Sequence, residues 1–263
     1  MGRMNSLVQT ILIIAVLALC VVQVAAMVLH KDMGKAITLM TKLDPKEVVS
    51  AVTKKKPRRS VDDAIEEYGA AARKRIRPWF KAAGVAYPPS QITLVGLKEE
   101  KLLFVLAPDE DGNLKKVVSY PILAASGEPG PKLMQGDYQV PEGFYKIELF
   151  NPNSAYHLSL RVNYPNAEDR AHAASDKRTK LGGDIMIHGN AVSVGCLAIG
   201  DEPIEELFTL LHDTGLEKVN VILAPSDLTK KASGVDLKVQ PDWLPSLYKR
   251  LKKSLAALPP LTE

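Results

Sequence analysis

The spacing of apolar residues changes along this chain, and each change marks a boundary. Residues 7–29, LVQTILIIAVLALCVVQVAAMVL, are almost continuously apolar behind a short segment holding Arg3. That is the layout of an export signal or a membrane anchor, and 23 residues suffice to span a bilayer as a helix. Residues 30–59 are polar and Lys-rich and read as a basic stalk. From Ser60 the period becomes helical. Val61, Ile65, Tyr68, Ala72, Ile76, Trp79 and Phe80 fall on one stripe, with Ser60 as N-cap, Asp63 three places later and Gly84 as the stop. Pro78 lacks a backbone donor and is expected to bend or interrupt the last turns. Residues 60–90 thus form an amphipathic helix that packs on the domain C-terminal to it.

From Ile92 the period shortens to that of strands. ITLVGLKEEKLLFVLAPDEDGNLKKVVSYPILAAS reads as two or three strands with DEDGN as a hairpin loop, and short strands continue through GDYQVPEGFYKIELFN, YHLSLRVNYPN and GDIMIHGN. Helical signal returns only at DEPIEELFTLLHDTG. There Asp201 caps, Pro203 sits in the first turn, and Ile204, Leu207, Phe208 and Leu211 form the buried face before Gly215. The strand KVNVILAP closes a mainly β domain over 91–226. The extension 227–263 carries a basic amphipathic helix with Trp243, Leu247, Leu251 and Leu255 on one side, expected to pack against the domain.

Composition narrows the partners. The chain has 263 residues, 46% hydrophobic and 24% charged, which suits a globular domain with appendages. The net charge of +4 comes largely from KKKPRR at 54–59, RKRIR at 73–77 and KRLKK at 249–253. With aromatics at 6% and none interleaved with these clusters in a nucleic-acid-binding pattern, nucleic acid is not an expected partner. The apolar run points to export, with the β domain outside the cytoplasmic membrane. Val24, Ala25 and Ala26 suit cleavage, whereas the length suits an uncleaved anchor. Lys31, Lys35, Lys42 and Lys46 after the run oppose that orientation by charge bias. Cys20 lies inside the run behind Leu19, too bulky for lipoprotein cleavage. That leaves Cys196 as an exported thiol with no evident disulfide partner.

A thiol attacks acyl carbons as the thiolate and needs a base nearby. In GGDIMIHGNAVSVGCLAIGD, His188 lies at the end of a strand that stops at Gly189, and the residues up to Gly195 are long enough to turn back and bring Cys196 beside the imidazole. Gly195 permits a backbone shape closed to other residues, so the amides of Gly195 and Cys196 can point at one oxyanion; the Ser193 hydroxyl is a candidate to pin the loop. Taken alone, an isolated His and Cys eight apart are better explained as a hydrogen-bonded core histidine and a buried thiol.

The HG…S.GC arrangement, together with LKEEKLLFVL, GPKLMQGDYQVPEGFY and NPNSAYHLSLRVNYPN, resembles the L,D-transpeptidase (YkuD-type) family over about residues 60–225, and its YafK-like branch in particular. The resemblance implies a β-sandwich catalytic domain with flanking α-helices, Cys196 as nucleophile, His188 as general base and acid, and an oxyanion hole at Gly195 and Cys196. It implies peptidoglycan stem peptides as substrate and a thioester acyl-enzyme resolved by an amine, in the cell envelope. Two alternatives stand: resolution by water, releasing a peptide or an envelope lipoprotein, and a non-catalytic peptidoglycan-binding module. The sequence departs from the wider family in a short His188–Cys196 loop and in Ala198, where an arginine is common.

Weaker candidates surround the pair. His157 alternates within a strand and faces either the core or a groove. Arg170, with Asp169 and His172, lies in NAEDRAHAASDKRTKLGG, expected to be loop-rich and able to cover the cleft. Asp184 begins the strand of His188. No metal or cofactor is expected, since the five histidines lack paired ligand spacing.

Overall fold

The computed structural model describes residues 58–127, 130–191 and 195–262. The apolar segment of 1–29, nearly all of the stalk and Ser193 lie outside the described residues. Among the described residues the order is α1 (Val61–Ala82), β1 (Ile92–Leu97), β2 (Leu102–Pro108), β3 (Leu114–Pro121), β4 (Gly143–Ser154), β5 (His157–Val162), α2 (Ala167–Ser175), β6 (Met186–His188), β7 (Leu197–Ala198), α3 (Asp201–Thr214), β8 (Val219–Ala224) and α4 (Leu244–Ala256). The strands form one eight-stranded sheet in the order β3-β2-β1-β8-β4-β5-β6-β7. The fold is mainly β with flanking helices, as the sequence implies.

Alternation along the central strands explains the two cores. Ile92, Leu94, Leu103, Val105, Val219, Val221 and Leu223 point into the main core. Their neighbours Val95, Leu97, Phe104, Leu106, Ile222 and Ala224 point the other way, onto Leu244, Leu247, Tyr248, Leu251 and Leu255 of α4. Strands buried on both faces read as continuous apolar runs. The expected packing of the C-terminal helix against the domain is therefore found. KVNVILAP is the last strand in sequence yet lies mid-sheet, parallel to β1 and antiparallel to β4.

The long strand β4 carries the sheet from one layer to the next. Gly143–Lys146 pair with β8, whereas Ile147 onward pair with β5 across two register shifts. Bulges of this kind bend a strand and increase its twist. The sheet consequently turns back on itself: a Cβ on Gly96 of β1 would lie 3.5 Å from Leu197 of β7, and Ala124, beyond β3, bridges Ala198.

Four local expectations are corrected. Helix α1 runs through Pro78 to Ala82, with Ile76 and Phe80 buried one turn apart on either side of the proline. Trp79 is 52% exposed, because Phe80 takes the inward position four residues after Ile76 and rotates Trp79 to the rim. The loop expected over 166–183 contains α2, opened by a capping box between Asn166 and Asp169. Asp201 is the first residue of α3 and not its cap: Gly200 precedes the helix, and the Asp201 carboxylate accepts instead from the Asn190 N–H at 2.7 Å.

Buried polar groups tie the helices to the sheet. Glu206 of α3 accepts from Arg75 of α1 at 2.8 Å and from the Tyr120 hydroxyl at 2.9 Å. Glu142 accepts from Lys98 and from Tyr248 of α4, at 2.8 and 2.6 Å. Each acid is answered by a cation and a phenol, as burial of a charge demands.

Candidate active site

Strands β6 and β7 run parallel with His188 opposite Ala198, two residues past Cys196. Cys196 in turn reaches back to Met186, two residues before His188: the Met186 N–H donates to its Sγ at 3.4 Å, and the thiol donates to the Asp184 carbonyl at 3.6 Å. This register sets the two Cα atoms about 8 Å apart from ordinary strand spacing. The sequence's pair is thus brought onto adjacent strand ends.

His188 is 2% exposed. Its Nδ1 lies 2.6 Å from the Gly189 carbonyl, which can only accept, so Nδ1 carries the proton and Nε2 presents a lone pair. Tyr156, from the β4–β5 turn, lays its ring over the imidazole with centroids 4.7 Å apart. Burial holds His188 below the usual imidazole range, outweighing the Gly189 contact that favours the charged form. Gly189 is hemmed in: a Cβ there would lie 2.6 Å from Asp201 Oδ1 and 2.9 Å from the Tyr156 carbonyl.

Cys196 is partly buried, and burial pushes its thiol up. The Met186 N–H opposes that shift, nearby Asp184 adds to it, and Lys132 lowers it. Lys132 is held by Asp137 at 2.6 Å. Gly195 has φ 79°, the left-handed region that glycine enters without penalty. Its N–H donates to Ser126 Oγ at 2.6 Å, so one of the two amides expected to receive an oxyanion already has a partner in this arrangement.

The other expected residues fall elsewhere. His157 turns its imidazole to Glu205 at 2.9 Å and edge-on to Tyr68, joining β5 to α3 and α1. Arg170 is exposed on α2 and donates to the Pro165 carbonyl. The Asp184 carboxylate is exposed and lies 3.7 Å from Arg161; its carbonyl, not its side chain, meets Cys196. The stretch after α2 is tied down: Arg178 donates to the Leu133 carbonyl, and Trp243 stacks on His172 and donates to Asp176. Residues that sequence reasoning passed over are Ser126, Lys132, Tyr156 and Ser159. Ser159 pairs directly with His188 across the β5–β6 ladder, buried, its hydroxyl without a hydrogen-bond partner among the described residues. Lys132, in GPKLMQGDYQVPEGFY, and Tyr156 and Ser159, in NPNSAYHLSLRVNYPN, lie in stretches that resemble the family, which was the signal open to sequence reasoning; Ser126 lies in neither. Among the described residues no group of three or more His, Cys, Asp or Glu is arranged to hold a metal ion.

A thiol gripped by one amide and one carbonyl, beside an imidazole of fixed tautomer, suits nucleophilic acyl transfer. Residues 90–221, which are 132 of 263, match the L,D-transpeptidase catalytic domain family (YkuD), and the chain belongs to that family. It is 38% identical to YafK of Escherichia coli strain K12 over 116 residues, 42% of this chain and 45% of YafK. YafK of Escherichia coli O157:H7 gives the same figures. The chain spans less than half the length of the curated relatives it matches. Among solved structures it is similar to the helical cell shape determining protein Pgp2 of Campylobacter jejuni, at 25% identity and a TM-score of 0.44, over 68% of this chain and 63% of that one.

Proposed function

We propose that this protein is a cysteine-dependent L,D-transpeptidase that acts on peptidoglycan stem peptides through a thioester acyl-enzyme. The observation that carries the reading is the register of β6 and β7, which sets Cys196 and His188 two residues apart on adjacent strands with the imidazole lone pair left on Nε2. Burial raises the thiol and lowers the imidazole, so the resting pair is a neutral thiol beside a neutral base. Attack therefore couples two events. The S–H proton leaves the Asp184 carbonyl for His188 Nε2 as Sγ bonds to the stem-peptide carbonyl. The oxyanion is received at the Cys196 end of the Gly195–Cys196 turn, the Gly195 N–H being held by Ser126. His188 then gives its proton to the departing amine as the C–N bond breaks, leaving the thioester.

An incoming amine resolves the thioester into a crosslink or an attached protein. A second reading is resolution by water, releasing a peptide or an envelope lipoprotein; the partial exposure of Cys196, which admits water to the sulfur, supports it. The site of action is the cell envelope, the domain lying outside the cytoplasmic membrane and held there, or exported, by residues 7–29. A reporter active only in the cytoplasm, fused after Glu263, tests this: strong signal contradicts it. Among the described residues no helix is long and apolar enough to cross a membrane.

The deciding assay incubates the purified protein with tetrapeptide muropeptides, with and without an amine acceptor, and reads products by mass spectrometry. Crosslinked product that requires the amine supports transpeptidation; hydrolysed product alone supports the second reading. Binding with no product in either arm supports the non-catalytic module. Replacing His188 by alanine should slow acylation about 10²–10⁴-fold.

A further inference from the structure

The segment leaving β3 runs beside β7 as an added edge. The Leu123 N–H donates to the Ala198 carbonyl at 2.8 Å, and the Ala198 N–H donates to the Ala124 carbonyl at 3.1 Å. Two residues on, Ser126 makes two hydrogen bonds at once. Its Oγ accepts from the Gly195 N–H at 2.6 Å and its hydroxyl donates to the Tyr138 carbonyl at 2.8 Å. The serine therefore clasps the peptide that precedes Cys196 to a second segment that packs against the same turn. A Cβ on Gly195 would lie 3.8 Å from both the Tyr138 and Gln139 backbones. Tyr138 sits at φ 55°, an uncommon conformation for a residue with a side chain, and 59% of its surface is open. Neither feature follows from core packing. A hydroxyl that both accepts and donates is the smallest group able to make this link, and it fixes the left-handed turn at Gly195 from which Cys196 is presented.

We infer that Ser126 is the positioning residue of the nucleophile turn. By holding the Gly195 N–H to the Tyr138 carbonyl it keeps Sγ on the Met186 N–H and on the path to the substrate carbonyl, without touching substrate itself. The inference rests on Cys196 being the nucleophile. Loss of the clasp leaves substrate binding in place and degrades the presentation of sulfur, and so acts on kcat more than on KM.

The test compares Ser126→Ala and Ser126→Thr in the full chain by two readouts. One is muropeptide turnover. The other, which needs no substrate, is alkylation of Cys196 by iodoacetamide at fixed pH, followed by the mass of the peptide containing Cys196, since the full chain also carries Cys20. Ser126→Ala should lower kcat about 10-fold with KM within about 2-fold, slow alkylation severalfold, and melt within a few degrees of wild type, as a partly exposed site allows. Ser126→Thr retains the hydroxyl and should restore both rates. Unchanged or faster turnover and alkylation in Ser126→Ala would show a hydroxyl that is idle or merely competes for the Gly195 amide, and would overturn the inference. So would a threonine variant as slow as the alanine one. If the wild type turns over no muropeptide, the proposed function fails, and the alkylation arm still decides the clasp.

Discussion

Replacing Gly189 by alanine is the sharpest probe of how the histidine is held. Its backbone is not in the left-handed region, so alanine meets no conformational penalty there and the effect is one of space alone. The added Cβ would stand 2.6 Å from Asp201 Oδ1, 2.9 Å from the Tyr156 carbonyl and 3.0 Å from His157 Cβ. The aspartate can swing aside only by giving up its bond from the Asn190 N–H, and a backbone carbonyl cannot swing at all. The β4–β5 turn must therefore move off the end of β6 by several tenths of an ångström. That shift takes Tyr156 off the imidazole and turns the Gly189 carbonyl away from Nδ1. Overpacking of this kind costs about 1–3 kcal/mol, or roughly 2–12 °C in melting temperature for a domain of this size. Misplacing the base by a fraction of an ångström should lower kcat/KM by about 10-fold or more. Circular-dichroism melting and muropeptide turnover read the two effects. A Gly189→Ala protein with wild-type melting and wild-type kcat/KM would refute the packing described around His188.

Other expectations rest on the same contacts. Glu206→Ala strips Arg75 and the buried Tyr120 hydroxyl of an acceptor, and should destabilise the domain by about 2–3 kcal/mol in urea unfolding; a loss under about 0.5 kcal/mol would mean that Glu205 and water replace it. Because burial raises the Cys196 thiol, its alkylation by iodoacetamide should climb with pH later than that of glutathione, and a midpoint at or below the glutathione value would contradict the site. Because burial lowers His188, activity should persist as pH falls to values at which an ordinary imidazole is already protonated, and be lost only at lower pH, where the base itself becomes protonated. Ser159→Ala removes a buried hydroxyl that has no partner among the described residues. It should leave stability unchanged or raise it slightly, and a marked loss would reveal a bond to His188.

What the sequence disclosed was local. The stripe of α1, the capping of its first turn and the apolar runs of β1, β2 and β8 are short-range patterns, and all were legible. The place of β8 between β1 and β4 was not, since its partners lie more than seventy residues away in the chain and any apolar run would serve. Helix α2 escaped because Ala173 is its one buried residue, so AEDRAHAAS has almost no stripe; the Asn166 and Asp169 capping box was the signal available. In the site, His188 and Cys196 stood out as a motif. Ser126 did not, because it meets Gly195 across 69 residues through the added edge on β7. Tyr156 likewise reaches His188 only through the turn of β4 into β5. His157 misled for the opposite reason: a histidine in an alternating strand gives no sign of which face it takes, and here it serves Glu205 and Tyr68.

The central claim is a covalent one, and mass spectrometry of the protein and its proteolytic peptides, trapped during turnover, tests it most directly. After mixing with a tetrapeptide muropeptide and quenching in acid, the wild type should carry an adduct of the acyl fragment on the peptide containing Cys196. Hydroxylamine should release it as a thioester, and Cys196→Ala should carry none while melting like the wild type. An adduct on another residue, or full turnover by Cys196→Ala, would contradict the account.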